Sequence, residues 1–171
     1  MATHHYLDGF YQNVRGLRTK AIQFLDNASV SEFSFIALTE TWLNSTHQTC
    51  QYFPSNYEVH RRDRDYNTTG QTRGGGILLA LNKHHYPVSS RKYHLESKEI
   101  EAIWIETQVS KHSKILMGVI YLPPTLEDVL ITTRNRKQFG KIQPSNLFNW
   151  RFQYSQNYLG FGFWGKNTPR S

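Results

Sequence analysis

Between Phe33 and Leu43 the chain reads Phe-Ser-Phe-Ile-Ala-Leu-Thr-Glu-Thr-Trp-Leu. The first half is a run of apolar and β-favouring residues, the pattern of a strand covered on both faces. It stops at Thr39-Glu40-Thr41. A carboxylate at the mouth of a buried strand is well placed for a site, because the strand fixes the backbone while the open end admits a ligand. A lone Glu at a strand end is more often a solvated edge residue, so the segments around it must decide its role.

Upstream, Phe10 to Leu17 alternates like a strand and breaks at Gly16. Thr19 to Ala28 reads as a helix, with Ala21, Ile22, Phe24 and Leu25 on one stripe and Asn27 near its stop. With the strand at 33–38, this β–α–β spacing suggests neighbouring strands, a parallel pair among the options, with a helix across them. Downstream, residues 44–56 are polar and contain Pro54, a loop. Tyr57 to Arg61 is a short strand and Asp63 to Arg73 a charged loop. Gly74-Gly75-Gly76 leads into a second buried strand, Ile77 to Leu81. Ile100 to Val109 places Ile103 and Ile105 on one face and Trp104 on the other. Ile115 to Leu122 is a further strand, stopped by Pro123-Pro124. With little helix signal after residue 57, hairpins are the natural connections.

The triple glycine is not a phosphate-binding P-loop, since no Gly-Lys-Ser/Thr follows and a strand comes next. It lets the backbone bend tightly at a strand entrance. His84-His85 lacks the rest of a ligand set, and His4-His5 belongs to a loose chain start. The 171 residues suffice for one domain with a sizeable core. No apolar run approaches a membrane span, and no signal peptide opens the chain. The single cysteine, Cys50, suits a reducing, intracellular compartment. There the sequons at Asn44 and Asn67 carry no meaning.

The net charge is +7, which invites a nucleic-acid partner. Its distribution tempers that: residues 1–124 hold 13 Lys/Arg against 11 Asp/Glu, whereas residues 125–171 hold 7 against 2. The chain therefore divides at Pro124. Residues 139–171 carry nine aromatics, almost no Val, Ile or Leu, and no sustained period. This basic, aromatic tail reads as a poorly ordered segment not built for the fold before it. Basic and aromatic residues interleaved can also stack on single-stranded nucleic acid.

Four pieces stand in order: Asn13-Val14-Arg15-Gly16-Leu17-Arg18, Leu38-Thr39-Glu40-Thr41-Trp42-Leu43, Arg73-Gly74-Gly75-Gly76-Ile77 and Val119-Ile120-Tyr121-Leu122-Pro123-Pro124. Together they resemble the endonuclease/exonuclease/phosphatase superfamily, and within it the endonuclease domain of insect-type non-LTR retrotransposons. The resemblance covers about Gly9 to Pro124. It implies an α/β (α+β) fold, a four-layer sandwich of two mixed β-sheets flanked by helices, here incomplete at the C-terminal end. It implies a magnesium-dependent phosphodiesterase that nicks DNA for target-primed reverse transcription, a nuclear location, and a reverse transcriptase domain as partner in the intact element. By motif, Glu40 matches the metal-binding glutamate. Asn13 matches the asparagine that positions metal and phosphate, and Tyr121 the residue that contacts the scissile phosphate. Arg15, Arg73 and Tyr121 are the candidate DNA contacts. Hard oxygen donors of this kind suit Mg2+, which keeps several of its waters.

The family pattern continues with a Gly-Asp-Phe-Asn segment, whose Asp prepares the nucleophilic water, and a Ser-Asp-His segment, whose His pairs with a carboxylate. Neither occurs in residues 125–171, where Asp128 is the last acidic residue; the last histidine of the chain is His112. The expectation is therefore a truncated, inactive copy whose frame was lost or mis-spliced near Pro124. Two other readings stay open. One is a non-enzymatic nucleic-acid-binding protein using the tail. The other is an abasic-site endonuclease or phosphatase of the same superfamily. Target-site preference and oligomeric state are not readable from these residues.

Overall fold

The computed structural model describes residues 8–66, 70, 73–111, 113–121, 152–153 and 163–166. Strand β1 (Gly9–Asn13) is followed by a 3-10 turn (Arg18–Lys20), helix α1 (Ala21–Val30) and strand β2 (Phe35–Thr39). Then come β3 (Tyr57–Arg62), β4 (Ile77–Asn82), the short β5 (Ser89–Arg91), β6 (Glu101–Ser110) and β7 (Ser113–Tyr121). Two short strands, β8 (Phe152–Gln153) and β9 (Phe163–Lys166), lie in the last quarter of the chain. The strands form two sheets, in the orders β3-β4-β2-β1-β8 and β5-β6-β7-β9. The architecture is α+β, with the sheets packed face to face.

Period-two alternation builds the layers. All five residues of β2 and all six of β4 are buried. Phe35, Ala37, Ile77, Leu79 and Leu81 face the second sheet, where they meet Tyr86, Ile103, Ile105, Ile115, Met117 and Val119. The intervening residues Ile36, Leu38, Leu78 and Ala80 face the other way, onto Leu17, Ala28, Leu43, Tyr52 and Phe53. A strand with apolar side chains on both faces can sit only between two such layers.

β1 and β2 pair in parallel, from Gly9 with Phe35 to Asn13 with Thr39, across the α1 connection. β4 runs antiparallel to both β2 and β3, so the first sheet is mixed. The second sheet was expected to be mixed as well, but its described pairings are all antiparallel. A tight turn joins β6 to β7, and a parallel pair would need a crossover a dozen residues long. α1 covers the outer face of the first sheet; among the described residues no helix covers that of the second.

One local reading is corrected. Ile22 does not join the buried stripe of α1: it is 79% exposed, while Ala28 is buried and Ala21 and Phe24 pack partly against the core. The end of β3 is tied to its surroundings by its two arginines. Arg61 donates to the carbonyls of Asn44 and His47 and pairs with Asp63, and Arg62 donates to the carbonyls of Ser97 and Ala102. These guanidiniums tie loops to the sandwich, because one planar cation can satisfy several buried carbonyls at once. The expected disorder of 125–171 falls mostly outside the described residues. Within it, β8 pairs with β1 and β9 with β7.

Candidate active site

The site assembles where several strands end together. β1 ends at Asn13, in register with Thr39, the last residue of β2; Thr39 is opposite Ile77, the first of β4. In the second sheet Glu101, the first residue of β6, is opposite Tyr121, the last of β7. Parallel β1 and β2 with an antiparallel β4, and a hairpin of β6 and β7, bring these ends to neighbouring edges of the two sheets.

Past its last residue, β2 continues as an irregular ribbon hydrogen-bonded on both sides. The amides of Gly16 and Leu17 donate to the carbonyls of Glu40 and Thr41, and the amides of Thr41 and Trp42 donate to those of Gly76 and Gly75. This double clamp holds an unusual backbone. Glu40 and Trp42 both have φ +56° and nearby Arg15 has φ +45°, all in the left-handed region that non-glycine residues rarely occupy. They are the non-glycine residues of positive φ among those described; Glu40 and Trp42 are two residues apart, and Arg15 precedes Gly16, whose amide bonds the Glu40 carbonyl. Such strain gathers at functional sites, where the surrounding structure over-determines it. Gly74, Gly75 and Gly76 all have positive φ as well, so the triple glycine is the bend expected of it.

The bend supplies two successive amides to two carboxylates. The Gly75 N–H donates to Oε2 of Glu40 at 3.0 Å, and the Gly76 N–H donates to Oε2 of Glu101 at 2.7 Å. The indole N–H of Trp42 reaches the same Glu40 Oε2 at 2.6 Å. The guanidinium of Arg64 binds Oε1 of Glu101 at 2.5 Å and lies 5.9 Å from the centre of the Tyr121 ring. The Tyr121 phenol lies within reach of the Glu40 carboxylate. Burial pushes the Tyr121 phenol well above the usual tyrosine range, and Glu40 adds to that, while Arg64 opposes it. The phenol is therefore a neutral hydrogen-bond donor throughout the physiological range.

The residues singled out in the sequence are placed as follows. Glu40 and Tyr121 are brought side by side from the two sheets' edges. Asn13 shares their edge, but its Oδ1 accepts the backbone N–H of Arg15 at 3.2 Å, and among the described residues no bond links it to Glu40. Arg15 is exposed at the same strand end. Exposed Arg73 stacks over the Trp42 ring, 5.7 Å from its centre. Sequence reasoning missed Arg64, Glu101 and the role of Trp42. Arg64 lies in the loop after β3 and Glu101 opens β6 of the other sheet, and nothing in the local pattern pairs them.

In kind, a carboxylate and an amide oxygen at one strand edge fit magnesium, which takes one or two protein carboxylates and retains water. In number they are few: no group of three or more His, Cys, Asp or Glu able to hold a metal occurs among the described residues. What the arrangement offers is a fixed carboxylate, a neutral phenol aimed at it, and two exposed arginines beside them. No protein-family model matches the chain, and no curated protein matches it.

Proposed function

We propose that residues 1–124 are the N-terminal part of a magnesium-dependent DNA endonuclease domain of the non-LTR retrotransposon kind, and that this copy lacks the means to complete hydrolysis. The observation that supports this best is the meeting of Glu40 and Tyr121. These residues lie far apart in the chain, one just past the end of β2 and the other at the end of β7 in the second sheet, yet the Tyr121 phenol comes within reach of the Glu40 carboxylate.

In this reading Glu40 and Asn13 hold the ion, which supplies charge neutralisation at the scissile phosphate. Tyr121 donates a hydrogen bond to a phosphate oxygen as charge develops there. Arg15 and Arg73, exposed at the same edge, contact the DNA backbone as cations whose worth depends on salt. The four arginines Arg61, Arg62, Arg64 and Arg91 are already committed to internal carbonyls and carboxylates. They add little to DNA binding. Residues 125–171 hold neither the Gly-Asp-Phe-Asn nor the Ser-Asp-His segment that would prepare the water.

DNA binding tests the partner. The chain should bind duplex DNA in a salt-dependent manner, and Arg15→Ala with Arg73→Ala together should lower both affinity and the salt slope, by about one phosphate contact each. Binding lost on deleting residues 125–171 but untouched by the two substitutions would assign it to the basic aromatic tail instead.

A further inference from the structure

The structure assigns Trp42 a positioning role: we propose that its indole N–H, with the Gly75 amide, locks one oxygen of Glu40 so that the other is presented to a divalent cation. This rests on the reading of Glu40 as the cation-binding residue.

Three observations converge. Both N–H donors fall on the same atom, Oε2, at 2.6 and 3.0 Å. A carboxylate oxygen with two N–H donors has little capacity left, so an ion takes Oε1, which keeps room for it beside the Tyr121 hydroxyl that also meets this carboxylate. Next, the indole is itself held. A Cβ on Gly16 would fall 2.7 Å from the Trp42 ring, so the missing side chain there is the ring's seat, and Arg73 closes over the ring. Finally, the left-handed backbone at Glu40 and again at Trp42 turns the indole back onto the carboxylate two residues earlier. A tryptophan that merely filled space would need neither the strained backbone nor the short bond. Groups that orient a ligand without touching the metal are commonly worth 10- to 100-fold in affinity.

The test is nuclear magnetic resonance on the full chain with Mn2+ as the probe. The chain has four tryptophans, so four indole N–H resonances. Trp42→Phe keeps a ring between Gly16 and Arg73 but removes the N–H, and it identifies the Trp42 signal by its loss. Glu40→Gln should shift that signal upfield in an otherwise unchanged spectrum. Mn2+ should broaden resonances around Glu40 in the wild type and not in Glu40→Gln. In Trp42→Phe the Mn2+ titration should move to about tenfold higher concentration. Equal Mn2+ titrations in wild type and Trp42→Phe, with Glu40→Gln inert, would overturn the positioning role and leave the cation reading standing. An indole signal indifferent to Glu40→Gln would also overturn it. No Glu40-dependent broadening in the wild type would overturn the cation reading and the inference with it.

Discussion

A methyl group on Gly75 would fall 2.1 Å from Nε of Arg64, at a residue whose φ is +70°. Two costs therefore meet there. The left-handed backbone costs a non-glycine residue about 1–2 kcal/mol. The contact forces Arg64 off Glu101, and overpacking of this kind costs about 1–3 kcal/mol. Gly70 separates the two effects: its φ is +64°, yet nothing stands within 4 Å of the position a Cβ would take. Gly70→Ala should lower stability by about 1 kcal/mol and Gly75→Ala by roughly twice that or more, measured as urea midpoints at constant slope. Equal losses would mean that Arg64 moves aside freely and does not need its seat on the turn. The glycines and their bend were legible in the sequence. Arg64 was not, because its partner is set by the meeting of two sheets rather than by spacing along the chain.

Between elements, the edge strands β3 and β5 are clasped by side chains. Nε2 of His60 contacts the Ser89 hydroxyl at 2.9 Å, and that hydroxyl donates to Glu58 at 2.9 Å. Arg91, on β5, donates to the carbonyl of Arg61 on β3. Burial pulls the His60 imidazole below the ordinary histidine range; Glu58 opposes the shift and Arg91 adds to it. A lowered folded value means that the unfolded chain binds the proton more readily. The contribution of His60 is thus complete above its unfolded value, about 6.5, and is lost as pH falls from there through the folded value. Its share of the slope cannot exceed about 1.4 kcal/mol per pH unit. Unfolding free energies from pH 8 to 5 should fall more steeply for the wild type than for His60→Gln; parallel curves would show that this clasp does not sense protons. The same strands show what sequence patterns carry. β2, β4, β6 and β7 announced themselves because burial leaves a run or an alternation of apolar residues. β5, three residues at an edge, has no such pattern. Ile22 looked buried by helical spacing, but α1 turns only part of that stripe to the sheet, and periodicity does not say how wide the covered stripe is.

At the scale of the molecule, two sheets with α1 outside the first follow from strands that need apolar cover on both faces. The joining of the sheets' edges into one site does not, because it depends on register. Glu40 and Glu101 each meet one amide of the glycine turn only because β4 begins opposite the end of β2. The assembled edge has two carboxylates, a phenol donor and arginines. Residues 125–171 contain no histidine, and their only acidic side chains are Glu127 and Asp128, which follow Pro123-Pro124 after Thr125-Leu126. The chain, purified with magnesium, should therefore leave supercoiled plasmid unrelaxed above background. Charge neutralisation alone does not deliver a positioned, deprotonated water, and losing general-base help typically costs about 10²–10⁴-fold. With few carboxylates at the site, magnesium would also be held weakly, since too few ligands offset its dehydration. The two losses act on one transition state and do not simply multiply. Plasmid relaxation beside a Glu40→Ala control decides the matter. Robust nicking that disappears with Glu40→Ala would show that Glu40, Asn13 and Tyr121 suffice with a water activated by the ion, and the base would have to be struck from the requirements of the site.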